Sequence, residues 1–154
     1  MGNYYDESTI CAQASGSGAG AVTVLRLSGP RSIEILDGVF TPVGKKTLCE
    51  SENYKMRFGV IRRGEEVIDE VMAVVFRAPH SYTGEESAEI YCHGSEYIAQ
   101  EILKLLMEMS STFICTVRSP RNSLIWGENA TSTTSPGCTE ADSGVAEKKM
   151  ALMV

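Results

Sequence analysis

The sequence predicts an α+β domain in which a mixed β-sheet carries two helices. Short runs rich in β-branched residues, bounded by Gly, Ser or Pro, indicate strands. Two other segments repeat apolar residues at helical spacing. Over the first 110 residues the order is β-β-α-β-β-β-α, which favours a mixed sheet with helices. The length of 154 residues and the hydrophobic content of 43% suit one core-forming domain.

The first predicted elements are two strands and a helix. Residues 9–14 and 21–27 are the strands, and the Gly-rich stretch 15–20 joins them as a hairpin loop. A proline suits the start of the helix that the apolar spacing predicts over 30–40. Residues 41–53 show no periodicity and are predicted to form a loop.

The second half of the domain is predicted as a hairpin, a strand and a longer helix. Residues 54–62 and 67–77 form the hairpin strands, joined by a longer turn. Because the second of these is apolar almost without interruption, part of it should be buried on both faces. A strand over 86–92 then leads to a helix with Ser95 as its N-cap. The apolar face of this helix consists of Ile98, Ile102, Leu105, Leu106 and Met109.

The chain changes character after residue 110. The stretch 127–144 is small and polar and lacks strong core formers, so it cannot offset the entropy of ordering. The sequence therefore predicts a domain at 1–110 and a disordered tail at 111–154.

Charge and cysteine content exclude several classes of protein. The chain has 14 basic and 20 acidic residues, a net charge of −6, so no general attraction to nucleic acid or anionic lipid is expected. It begins without a leader-like segment and has no apolar run of the ~20 residues that span a bilayer, which predicts a soluble cytoplasmic protein. Five cysteines without CxxC spacing predict no metal site.

Arg26 and Glu89 lie among apolar residues of predicted strands, where a charged side chain needs a specific reason. For Arg26 an edge position, a partner carboxylate or recognition of ligand oxygens by the guanidinium would each serve. Glu89 shares a strand face with Tyr91, and it is either a plain surface carboxylate or an acceptor for the paired N–H edge of a heterocycle. The residues alone leave these alternatives open.

Three other motifs favour structural interpretations. The glycines at 16, 18 and 20 lack the Lys-Ser/Thr of a phosphate-binding loop, so a hairpin or a loop passing close to a ligand is favoured. Cys92 and His93 are adjacent on a strand and point to opposite faces, which argues against a thiolate–imidazole pair. The acidic run at 65–70 is typical of a solvated hairpin.

Three strings, taken in order, carry a resemblance to a known family. They are VLRLSGP at 24–30, APHSYTGE at 78–85 and CHG at 92–94. With the hairpin and helix around them, they strongly resemble the N-terminal domain of the tRNA modification GTPase family MnmE, also called TrmE. The resemblance covers residues 9–109, roughly two thirds of the chain.

The resemblance implies a fold similar to the tetrahydrofolate-binding domain of aminomethyltransferases, and a homodimer that binds 5-formyl- or 5,10-methylene-tetrahydrofolate at its interface. In the whole family protein the folate supplies the one-carbon unit that the enzyme, with the FAD-dependent partner MnmG (GidA), places on C5 of a tRNA wobble uridine. Arg26 and Glu89 fall on folate-contacting positions. The loop that would shape the pocket comprises Ser81, Tyr82, Thr83, Gly84 and Glu85.

The chain also departs from the family pattern. The P-G-E-F motif with its folate-contacting lysine, the Walker A motif and the C-terminal cysteine motif are missing. The sequence therefore predicts no GTP, Mg²⁺ or K⁺ site and no GTP hydrolysis by this chain alone, with MnmG and tRNA as partners only of the full-length protein. Two alternatives stay open: a structural dimerisation protein that no longer binds folate, and a stand-alone folate-dependent methyltransferase.

Overall fold

The computed structural model describes residues 9–16, 20–109, 113–118 and 124–127, which form one mixed sheet and two helices. The elements are β1 Thr9–Gln13, β2 Val22–Ser28, α1 Ser32–Asp37, β3 Phe40–Pro42, β4 Arg57–Arg63, β5 Glu66–Phe76, β6 Ser87–His93, α2 Glu96–Glu108, β7 Phe113–Arg118 and β8 Leu124–Gly127. The strand order is β3-β4-β5-β6-β2-β1-β7-β8. The β1–β7 pair is parallel and the other pairs are antiparallel. The predicted mixed sheet with two helices is confirmed.

Both helices pack on the same face of the sheet. Side chains of β2 and β6, such as Leu25 and Ile90, are fully buried in one cluster with Leu36 of α1 and Ile102 of α2. Because side chains alternate along a strand, the residues between them point to the other face. We call this the second face; its central residues are Val24, Arg26, Ser28, Glu89 and Tyr91.

The first helix is shorter than predicted. It begins at Ser32 rather than at Pro30 and ends at Asp37, where Gly38 closes the last turn with a hydrogen bond from its N–H to the carbonyl of Glu34. Phe40, assigned from its spacing to the helix, instead opens β3 and is buried against β4. Apolar spacing could not distinguish a helix that continues to Phe40 from a shorter helix followed by a buried strand residue, because both give the same pattern of apolar positions.

The β4–β5 hairpin is confirmed, but its turn is tighter than predicted. Arg63 pairs with Glu66, which leaves a two-residue loop. Gly64 occupies it with φ +60°, a left-handed conformation that glycine adopts without steric cost. Farther along β5 the consecutive residues Ala73, Val74 and Val75 are all buried, so the prediction of burial on both faces is also confirmed.

The sheet continues past residue 110, where no strand is predicted. β7 lies parallel beside β1, and β8 pairs with β7 in antiparallel fashion. The stretch 127–144 is predicted to be disordered. Its first residue, Gly127, ends β8, and the rest of the stretch lies outside the described residues. Residues 17–19 of the glycine loop lie outside them as well.

The second helix follows its prediction closely. Its buried residues are Ala99, Ile102, Leu103, Leu105 and Leu106. Met109, predicted on the same face, lies after the helix end and is 45% exposed. Neither described helix combines the length and the apolar character that crossing a membrane requires.

Ser95 caps α2 as predicted, with its Oγ accepting from the N–H of Ile98 at 3.5 Å. Replacing Ser95 with alanine is expected to lower the free energy of unfolding by about 1 kcal/mol, because one orphan N–H loses its partner. Urea denaturation followed by circular dichroism measures this change. Ser95→Asn is the control, since it keeps a capping oxygen; an equal loss in both variants would contradict a capping role.

Candidate functional site

Arg26 and Glu89 form an ion pair at the centre of the second face. They lie opposite each other on β2 and β6, two interior strands of the sheet. The Nε of Arg26 donates to Oε1 of Glu89 at 2.8 Å. Their side chains are 22% and 10% exposed, so the pair is screened little by solvent and its charge-assisted hydrogen bond is stronger than a surface contact.

Tyr91 holds the other oxygen of the same carboxylate. It stands two residues after Glu89 on β6, and its hydroxyl donates to Oε2 of Glu89 at 2.5 Å. Burial, together with the neighbouring carboxylate, raises the pKa of Tyr91 to about 12. The hydroxyl therefore stays protonated and remains a donor at neutral pH.

The loop at 81–85 lies beside this cluster. The ring of Tyr82 packs against the guanidinium of Arg26, with Cζ 5.5 Å from the ring centroid, a cation–π contact. The hydroxyls of Thr83 and Ser28 share a hydrogen bond of 2.8 Å, which ties the loop to β2. Ser28 also donates to Oε2 of Glu85 at 3.4 Å.

The loop keeps its shape through its own hydrogen bonds. Ser81 donates from its hydroxyl to the carbonyl of Glu85 at 2.5 Å. The N–H of Gly84 donates to the carbonyl of Ser81 at 3.2 Å, and Gly84 has φ +78°, a conformation that favours glycine. All seven residues predicted for the site thus lie in one cluster on the second face.

The cluster can accept further hydrogen bonds at the Glu89 carboxylate. An ionised carboxylate offers about four lone-pair positions, and Arg26 and Tyr91 each occupy one on a different oxygen of Glu89. One acceptor position is left on each oxygen, which suits two N–H donors side by side. Arg26 adds positive charge that suits carbonyl or carboxylate oxygens of a ligand.

The structure separates the alternatives left open for the two charged residues. An edge position for Arg26 is wrong, because β2 lies between β1 and β6; its partner carboxylate is Glu89. The plain surface interpretation of Glu89 is also wrong, since its side chain is nine-tenths buried. The sequence alone places Tyr91 on the same strand face as Glu89 without assigning it to the site, and this alternation along β6 is the signal for its place in the cluster.

Cys92 and His93 point apart as predicted. Cys92 is buried, and its Sγ lies 3.5 Å from the carbonyl oxygen of Thr23, while His93 is exposed. Nδ1 of His93 lies 2.6 Å from Oδ1 of Asp69, and its backbone N–H donates to Oδ2 at 2.9 Å. Asp69 is therefore buried against the end of β6 rather than solvated, which corrects the interpretation of the acidic run. Glu65, Glu66 and Glu70 are exposed as predicted.

The glycine loop reaches the junction between β6 and α2. The N–H of Gly94 donates to the carbonyl of Ala21 at 3.1 Å. A Cβ built on Gly94 would overlap the carbonyl oxygen of Gly20, so the two backbones approach more closely than a side chain allows. The end of the loop at Gly20 and Ala21 therefore packs against the backbone at Gly94.

Comparison with known proteins gives one consistent result. A family model described as "GTP-binding protein TrmE N-terminus" matches residues 9–119, past the predicted domain boundary at 110. The tRNA modification GTPase MnmE of Bacteroides fragilis is 51% identical over 104 residues, which are 67% of this chain and 22% of the relative. MnmE of Bacteroides thetaiotaomicron has the same identity and coverage. MnmE of Christiangramia forsetii is 50% identical over 102 residues, 66% of this chain and 22% of the relative. The chain thus spans about a fifth of the length of these relatives.

Proposed function

This chain belongs to the TrmE N-terminal family, and from that membership we propose that it is the tetrahydrofolate-binding and homodimerising module of a tRNA modification GTPase. The ligand we propose is 5-formyl- or 5,10-methylene-tetrahydrofolate. The proposed domain comprises residues 1–110, which hold every proposed site residue. Within the tail predicted at 111–154, β7 and β8 continue the sheet of this domain, so disorder of the tail stays a prediction only outside these two strands. We also propose that its fold is similar to the folate-binding domain of aminomethyltransferases.

The observation that carries the proposal is the Arg26–Glu89 pair, buried in the middle of the second face with the 81–85 loop beside it. Charged residues inside a sheet are costly to desolvate, and a structural role alone gives a weak account of them. The exposed ring of Tyr82 and the hydroxyl of Thr83 lie next to the pair and would be available for further contacts with a ligand.

The donor and acceptor set fits a reduced folate. The amino-pyrimidine edge of a pterin presents two N–H donors, and Glu89 has one acceptor position left on each oxygen. The guanidinium of Arg26 suits the oxygens of the ligand. Bound folate would supply the one-carbon unit; the residues of this chain would bind it, orient the heterocycle and cover it with the 81–85 loop.

In this proposal, the C5 modification of the tRNA wobble uridine belongs to the full-length protein together with the FAD-dependent partner MnmG. This chain would contribute folate binding and the contact between two copies. The curated relatives are named tRNA modification GTPases, and the chain matches 22% of their length.

The direct test is to titrate 5-formyltetrahydrofolate into the purified chain by isothermal calorimetry, with light scattering to measure its mass. We expect saturable binding at sub-millimolar ligand and a mass twice the 16.7 kDa of one chain. A dimer without saturable binding would favour a purely structural dimerisation protein. Methyl transfer with turnover would instead favour a stand-alone folate-dependent methyltransferase.

A further inference from the structure

The hydroxyl of Tyr91 contacts Glu89, and the proposed function does not yet account for this contact. Its hydroxyl donates to Oε2 of Glu89, while the guanidinium of Arg26 donates to Oε1. These are the two contacts of the Glu89 carboxylate among the described residues. The contact with Tyr91 comes from β6, the strand that also carries Glu89, and the contact with Arg26 comes from the neighbouring strand β2.

Two contacts define the orientation of a carboxylate, whereas one does not. The last torsion of a glutamate side chain is broad and roughly two-fold, so a single hydrogen bond leaves the plane of the carboxylate free to turn. A donor on each oxygen fixes that plane. The remaining lone pairs of Glu89 then lie in a defined direction, as parallel recognition of two N–H groups requires.

The strand framework makes Tyr91 suitable for this task. On β6 it stands opposite Val24 of β2 and opposite Met72 of β5, so strands flank it on both sides. Groups carried on interior strands keep their position more exactly than groups on loops. The hydroxyl also stays protonated at neutral pH, as described above, so it acts as a steady donor to the carboxylate.

We propose that Tyr91 is a positioning residue that fixes the Glu89 carboxylate for a ligand edge with two adjacent N–H donors, and so sets the preference of this site for the amino-pyrimidine edge of a reduced pterin. This inference rests on the proposed function. It adds a residue that acts on the ligand through Glu89 rather than by touching it, and it explains why a tyrosine hydroxyl lies against a nine-tenths buried glutamate.

The test is a double-mutant cycle on 5-formyltetrahydrofolate affinity, measured by calorimetry with the full chain. Tyr91→Phe removes the hydroxyl and keeps the ring, and we expect its Kd to rise about 2- to 12-fold. In a chain that already carries Glu89→Ala, the same change should alter Kd by less than about 2-fold, because the group it positions is gone. Tyr97→Phe is the matched control, since Tyr97 lies exposed on α2, a helix that packs on the opposite face of the sheet.

Each outcome decides a different point. Equal affinity of Tyr91→Phe and the wild type, with the wild type binding, would overturn the role of Tyr91 and leave the proposed function intact. Equal losses from Tyr91→Phe with and without Glu89 would also overturn it, because a purely structural effect adds independently of Glu89. No saturable binding by the wild type would overturn the proposed function and this inference with it.

Discussion

Replacing Glu89 with alanine is expected to weaken binding of 5-formyltetrahydrofolate by about 1–3 kcal/mol, or roughly 5- to 150-fold in Kd. The change removes the acceptor for both N–H donors of the ligand edge. It also removes the carboxylate that lies 2.8 Å from Nε of Arg26, whose side chain is only 22% exposed. Arg26→Ala should cost a similar amount of affinity, because it removes one of the two donors that orient the Glu89 carboxylate and the positive charge that suits the oxygens of the ligand. Calorimetric titration of each variant measures both losses.

Glu101→Ala is a matched control for this experiment. Glu101 is also a largely buried glutamate in an ion pair, at 3.0 Å from Arg63 and 2.8 Å from Lys104, but it lies on α2 and belongs to the opposite side of the sheet. Its loss should affect stability and leave the folate affinity within about 2-fold of wild type. Glu89→Ala and Arg26→Ala variants that both bind like the wild type would remove this pair from the site.

The order of most elements could be predicted because it depends on local pattern. Alternation and β-branched content marked β1, β2, β5 and β6, and the apolar stripe with Ser95 in front marked α2. These signals are carried by residues close in the chain. The three-residue β3 was missed, since it is held by pairing with β4 and by burial of Phe40, neither of which leaves a local pattern.

The site depended on pairing between distant residues. Arg26 and Glu89 are 63 positions apart, and only the antiparallel register of β2 and β6 brings them opposite each other. The sequence could flag each charge as unusual, but it could not show that one is the partner of the other. The same holds for Asp69, whose burial comes from the end of β6 and not from its acidic neighbours. The family resemblance singled out Arg26 and Glu89 as two site residues but not as partners of each other, and it gave no information on Asp69.

Replacing Gly94 with alanine is expected to lower the free energy of unfolding by about 1–3 kcal/mol, the usual cost of forcing a methyl group into a packed site. The φ angle of Gly94 lies outside the left-handed region, so alanine could adopt its backbone conformation. The cost comes from overlap of the new Cβ with the carbonyl oxygen of Gly20, a backbone atom that cannot turn away like a side chain. The hydrogen bond from Gly94 to Ala21 would be displaced in the same movement.

Gly16→Ala is the control, because Gly16 lies in the same loop and a Cβ there meets nothing within 4 Å. Thermal unfolding should show a lower Tm for Gly94→Ala, by about 4–8 °C for each kcal/mol in a domain of this size, and almost no change for Gly16→Ala. A Gly94→Ala protein as stable as the wild type would mean that the glycine loop is free to move away from the β6–α2 junction. Since β6 carries both Glu89 and Tyr91, that result would also argue that the end of the strand next to them tolerates displacement. A lower Tm for Gly94→Ala but not for Gly16→Ala would instead indicate that the close approach of the Gly20 and Gly94 backbones helps to hold β6 in place.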